Sequence, residues 1–169
     1  MNKIISISIA ALTLLVTVSS CHRDSTSANC PGTPFATWKV DGVTQESYVY
    51  VYTHAGTVSN FTLTACVNDA NDKIVQMAFI PYPPVVGSYP LKWSGQGVWN
   101  GFGSGQYITD DDGDYLTDST TYTGSFDIAS VNTTDKRITG SFHFAAHEVN
   151  PGTRTVNVTD GMFTNMKYE

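Results

Sequence analysis

The stretch Arg137-Ile-Thr-Gly-Ser-Phe-His-Phe-Ala-Ala146 decides the fold. Ile138, Gly140, Phe142, Phe144 and Ala146 fall on alternate positions, with Thr139, Ser141, His143 and Ala145 between them. Successive side chains of an extended chain point to opposite faces, so this pattern predicts a strand with one face in a core and the other toward water. A helix would return its apolar residues every three or four positions instead.

The flanking segments repeat the pattern. Upstream, Thr123-Gly-Ser-Phe-Asp-Ile-Ala129 turns Phe126 and Ile128 inward and Ser125 and Asp127 outward, and the polar run Asn132 to Lys136 supplies the turn between the two strands. Downstream, a polar loop from His147 to Arg154 leads to Thr155-Val-Asn-Val-Thr159, with Val156 and Val158 inward. Asp160-Gly161 then reads as a bulge or tight bend that re-aims the chain toward Phe163. This last third is an antiparallel meander.

Earlier segments agree with it. Phe35 to Val40 runs into the turn dipeptide Asp41-Gly42, and Ser47 to Tyr52 alternates Tyr and Val, so that either face fits a core. Phe61, Leu63, Ala65 and Val67 recur at period two, whereas Ile74 to Ile80 is apolar at nearly every position, as in a strand covered on both faces. Pro81, Pro83 and Pro84 end that strand, Gly87 to Trp93 reads as a short edge strand, and Gly95 to Gly105 as a glycine-rich, aromatic-bearing loop or irregular hairpin. Tyr107-Ile108 leads into the acidic turn Asp110 to Asp114, with a short return strand near Tyr115 to Thr117. No helical period of ten residues occurs after the leader. The expectation is an all-β, antiparallel β-sandwich of about eight to ten strands, with an open β-barrel as the alternative.

Ahead of this domain, Met1-Asn2-Lys3 carries one positive charge and Ile4 to Val18 is an apolar run broken only by Ser and Thr. A permanent membrane helix needs roughly 20 apolar residues, so the run reads as a secretory leader. Its end, Val18-Ser19-Ser20-Cys21, resembles the bacterial lipoprotein signal, in which the cysteine is lipidated and becomes the new N-terminus. The expected organisation is a signal peptide over 1–20, a flexible Ser/Thr/Pro/Gly tether over 21–34 and one domain over 35–169. More than one acyl chain on Cys21 gives stable anchoring of an otherwise soluble body. Cys30 and Cys66 remain, either as a disulfide, which an envelope compartment allows, or as two buried thiols.

Fifteen acidic residues stand against nine basic ones, for a net charge of −6, and no Lys/Arg cluster occurs. Nucleic-acid binding depends on clustered cations that displace counterions, so that partner class is excluded.

Phe35-Ala-Thr-Trp-Lys-Val-Asp-Gly42, Gly87-Ser-Tyr-Pro-Leu91, Gly124-Ser-Phe-Asp-Ile128, Arg137-Ile-Thr-Gly-Ser-Phe-His-Phe-Ala145 and Val156-Asn-Val-Thr-Asp-Gly-Met-Phe163 resemble, in that order, a family of small lipoproteins of uncharacterised function from Bacteroidetes-type bacteria. The resemblance implies an all-β outer-membrane lipoprotein and brings no catalytic residues with it. In such bacteria an acidic stretch after the lipidated cysteine directs export to the surface. His22-Arg23-Asp24-Ser25 has a single acidic residue, which leaves both the periplasmic face and the cell surface open.

Chemistry-bearing groups are sparse. Asp110, Asp112 and Asp114 around Gly113 are candidate calcium ligands, since hard cations take six to eight oxygens. An EF-hand frame fails, with Ile108 where the first Asp belongs and Ser119 where the bidentate Glu belongs. The competing reading, a solvated hairpin tip, rests on the preference of Asp and Gly for turns. His143 and His147 share one side of a strand but lie roughly 13 Å apart at ~3.3 Å per residue, too far for one ion. Gly103-Ser104-Gly105 and Gly124-Ser125-Phe126 lack nucleophile-elbow spacing, and no carboxylate pair for glycoside hydrolysis stands out. Trp93, Trp99, Phe102 and Tyr107, set among glycines, are candidate ligand-binding aromatics, with a small core at the end of the domain as the competing role. The functional expectation is a lipid-anchored, non-catalytic binding or assembly domain without a cofactor. A carbohydrate-binding lipoprotein using the aromatic loop, calcium-assisted or not, comes second and a hydrolytic enzyme third. The partner is a glycan or another envelope protein.

Overall fold

The strand expected over Arg137 to Ala146 exists and runs two residues further, through His147 and Glu148, which were expected in a loop and instead pair with another strand; the rest of the molecule is built on its two edges. The structure is a computed structural model describing residues 35–47, 49–54, 60–67, 73–93, 103–109, 113–149 and 153–168. Eleven strands occur: β1 (Ala36–Val40), β2 (Val43–Ser47), β3 (Val49–His54), β4 (Asn60–Cys66), β5 (Ile74–Pro81), β6 (Gly87–Leu91), β7 (Ser104–Thr109), β8 (Gly113–Leu116), β9 (Gly124–Asn132), β10 (Arg137–Glu148) and β11 (Thr155–Lys167). They form one sheet in which all the strand pairs are antiparallel, and no helix occurs among the described residues.

The main path through the sheet is β2-β1-β11-β10-β8-β7-β5-β4-β3. Its two outer members are consecutive in the chain, since β2 ends at Ser47 and β3 begins at Val49. β2 pairs with β1 and β3 with β4, so a single passage of chain joins the two ends of the sheet and the sheet is nearly closed into a barrel. Of the two architectures expected, the barrel describes this sheet. Closure of this kind removes most of the free edge that an open sheet exposes.

One edge of β10 is shared. Its first part, from Arg137 to Phe144, pairs with β9, while His147 and Glu148 pair with β8. β9 in turn pairs with β6, and Leu91 at the end of β6 reaches Gly103, just ahead of β7, through a parallel bridge. The sheet therefore splits beside β8, and β6 and β9 form a two-stranded branch.

Alternation fills the interior as the sequence predicts. Ile138, Phe142, Phe144 and Ala146 of β10 are buried with Phe126 and Ile128 of β9 and Val156, Val158 and Phe163 of β11. Phe126 stacks on Phe163 with centroids 4.8 Å apart, and Trp38 tilts against Phe142 at 6.4 Å. β11 stays in phase with this core over thirteen residues only by means of two bulges. Asp160 and Asn165, with φ of 51° and 52°, are the extra residues, and each lets the following inward position (Gly161, Met166) regain the core. The bulge expected at Asp160-Gly161 is present. β5 departs from expectation: Ile74, Gln76 and Ala78 are half-buried, so its second face is not fully covered. Its continuous apolar run reflects another irregularity, because pairing with β4 shifts between Phe61 and Leu63, which puts Met77 and Ile80 inward three residues apart. The side chains of the Tyr/Val segment 48–52 lie outside the described residues.

Candidate functional site

The outer face of β10 and its neighbours carries most of the described polar chemistry. His143 is exposed and pairs in register with Ser125 of β9. Ser125 Oγ donates to Asp127 Oδ2 at 2.6 Å and lies 3.4 Å from His143 Nδ1. The hydroxyl sits between carboxylate and imidazole. Nucleophilic catalysis requires the imidazole in the middle, taking the serine proton while the carboxylate holds its other nitrogen. Here the serine proton goes to Asp127, so the trio is a hydrogen-bonded surface cluster and does not activate a nucleophile.

One turn of the face further on, the imidazole of His147 packs on the ring of Tyr122 with centroids 5.1 Å apart, and Nδ1 lies 3.1 Å from the Glu148 carbonyl oxygen. Tyr122 closes a turn organised by Asp118, whose Oδ1 accepts the backbone N–H groups of Thr120, Thr121 and Tyr122 at 2.7–2.8 Å. Partial burial pushes the Asp118 carboxyl up, but these three donors and the nearby His147 together hold it below its ordinary range. The Asp118 carbonyl also accepts the N–H of Trp93 at 3.2 Å. Trp93, half-buried, is the last described residue before segment 94–102, and Gly103 at the other end of that segment is bonded to Pro90 and Lys92 of the β6 strand and its extension. Trp93 therefore sits where the sheet splits, bonded to the turn that carries Asp118 and Tyr122, while Gly103 is buried against Ala78, Ile80 and Leu91.

The remaining candidates are distributed elsewhere. Tyr107 is 5% exposed in β7, with its ring 6.2 Å from Tyr115, so it belongs to the interior and not to a surface platform. The glycines around it read as loop in the sequence, yet β7 begins at Ser104. Gly105 is glycine because the Phe144 ring occupies the space a methyl group would need, with a Cβ there only 2.8 Å from two ring carbons. Asp114 is exposed at the start of β8. Asp110 and Asp112 lie outside the described residues, as do Trp99, Phe102, Cys21 and Cys30, and so does the side chain of Cys66, which ends β4.

Thr109 and Gly113 close the acidic turn, with Gly113 at φ 94°, and the Glu148 carboxylate lies over it, 3.5 Å from where a Cβ on Gly113 would stand. Arg154 grips that carboxylate with two hydrogen bonds, Nη2 to Oε1 at 2.9 Å and Nε to Oε2 at 3.2 Å, and these hold the Glu148 carboxyl below its ordinary range. No group of three or more His, Cys, Asp or Glu suited to a metal occurs among the described residues. The acidic turn and Gly103 stand at opposite ends of β7, separated by roughly 17–20 Å at ~3.3 Å per residue.

Residues 37–167 match a domain of unknown function, DUF6252. The chain belongs to this family. No curated protein and no solved structure matches it. Sequence periodicity had turned Ser125, Asp127 and His143 outward without showing that they meet, because cross-strand register is set by the turn at 132–136 and by the extra residue, Ala129, in β9. The Asp118 turn was missed, although Asp followed by Ser-Thr-Thr is the signature of a side chain capping its own turn.

Proposed function

We propose that this DUF6252 chain is an outer-membrane lipoprotein of the Bacteroidetes type, anchored through lipid on Cys21, whose β domain is a non-catalytic binding or assembly module. The register of charged start, apolar run, small residues and Cys21 supports the anchor. The observation that carries the binding role is the tie of Trp93, the residue that opens the aromatic segment, to the Asp118 turn, where the rings of Tyr122 and His147 lie next to a carboxylate and exposed hydroxyls. The inward aromatic side chains Phe126, Phe142, Phe144 and Phe163 belong to the hydrophobic core. In the Ser125 cluster the proton order is wrong for acyl transfer.

A glycan is the second reading of the same face, since aromatic rings flanked by hydrogen-bonding groups suit polyhydroxyl rings. A glycan and peptide array probed with the purified full chain, with and without calcium, tests both. Glycan signals that survive chelation place recognition on the aromatic face alone, and signals lost with chelator bring in the acidic turn. A blank array directs the search to cross-linked envelope proteins in intact cells, and release of hydrolysis products from any array sugar contradicts the non-catalytic reading.

A further inference from the structure

Among the described residues Trp38 is the largest fully enclosed side chain, 1% exposed, and its indole Nε1–H has no acceptor there. Buried donors are almost always paired, and one left alone costs about 1–3 kcal/mol. Packing alone does not call for an indole here, because a phenyl ring would fill apolar space without bringing a donor. Trp38 of β1 stands directly opposite Gln45 of β2, which is also inward and 8% exposed. A buried amide is an equally unexpected core choice, and it can both donate and accept. Two adjacent inward positions of one hairpin thus bring three kinds of hydrogen-bonding group into the interior beside the ring of Phe142, with Ser47 also buried on β2.

We infer that the barrel interior binds an acceptor oxygen between Trp38 and Gln45. The oxygen takes the Nε1–H of Trp38 and is held from the other side by the Gln45 amide. It belongs either to an enclosed water or to the carbonyl, hydroxyl or ether group of a small organic guest. A water needs two to four polar partners, and this pair supplies them. The slight exposure of Gln45, three residues from the Asp41-Gly42 turn, marks the route by which it exchanges.

Nuclear magnetic resonance of the purified, isotope-labelled full chain in detergent micelles reads this directly at the indole protons. Trp93→Phe and Trp99→Phe remove the other two indole signals and leave that of Trp38 assigned. The expected Trp38 Hε1 signal lies downfield, as for a hydrogen-bonded indole, and shows a cross-peak either to water or to protons that belong to neither protein nor detergent. The second case is accompanied by a small molecule released on unfolding. Gln45→Leu shifts the signal upfield and removes the cross-peak. An upfield signal typical of indole in apolar solvent, or a cross-relaxation pattern showing an acceptor from the protein's own chain, overturns the inference.

Discussion

Replacing Gly105 with alanine puts a methyl group into the Phe144 ring, against which it has no free space. Overpacking of this kind costs about 1–3 kcal/mol, and because the clash involves a single ring, Phe144→Leu should relieve part of it. Denaturant melts of the two single variants and the double variant give the coupling, which is expected to be favourable. Asp118 offers a second test at this scale. Its folded pKa lies below its unfolded value, so its contribution is fully present above the ordinary value of 3.8 and is lost as pH falls through the folded value. Asp118→Ala is expected to cost about 1 kcal/mol at neutral pH, with a difference from the wild type that shrinks in acid. Alternation made the inward and outward sets of β9, β10 and the start of β11 legible in the sequence. It did not reveal which outward groups touch, and it placed Tyr107 in a loop because glycines on either side of a strand start look like loop.

Among the elements, β11 carries the most specific requirement. Asp160-Gly161 announces its bulge, since both residues favour turns and bends, but Asn165 sits in an ordinary-looking polar stretch and gives no comparable signal. Its backbone is held by Thr139 Oγ1, which accepts the Asn165 N–H, and by Arg137 Nη1, which donates to the Asn165 carbonyl. These bonds do not depend on its side chain, but its φ of 52° does limit which side chain is tolerated. A β-branched residue is poorly accommodated in that region, so Asn165→Val should cost about 1–3 kcal/mol while Asn165→Gly is neutral or mildly stabilising, as thermal melts will show. The continuous apolar run of β5 has a related lesson. A bulge places Met77 and Ile80 on one face and so mimics, in sequence, the composition of a strand buried on both sides.

For the whole molecule, the all-β class follows from local periodicity, whereas the near-closure of the sheet does not. Closure depends on β2 and β3 pairing with β1 and β4 at the two ends of the strand order, and nothing in the local pattern of 43–54 distinguishes a strand that ends a sandwich layer from one that joins a barrel. The tethering proposal predicts that Cys21→Ala moves the chain from the membrane fraction to the soluble fraction on cell fractionation, with its melt unchanged once purified. The central claim of the proposed function is that the glycan or envelope partner is recognised outside, at Trp93 beside the Asp118 turn, and that Tyr107 inside serves stability. Binding and melting of Trp93→Ala and Tyr107→Ala, measured side by side against whichever array ligand the wild type retains, test it most directly. The account predicts that Trp93→Ala loses binding at an unchanged melting temperature, while Tyr107→Ala loses about 3–5 kcal/mol of stability yet binds while folded. The reverse pattern, with binding lost at Tyr107 and stability lost at Trp93, would contradict it.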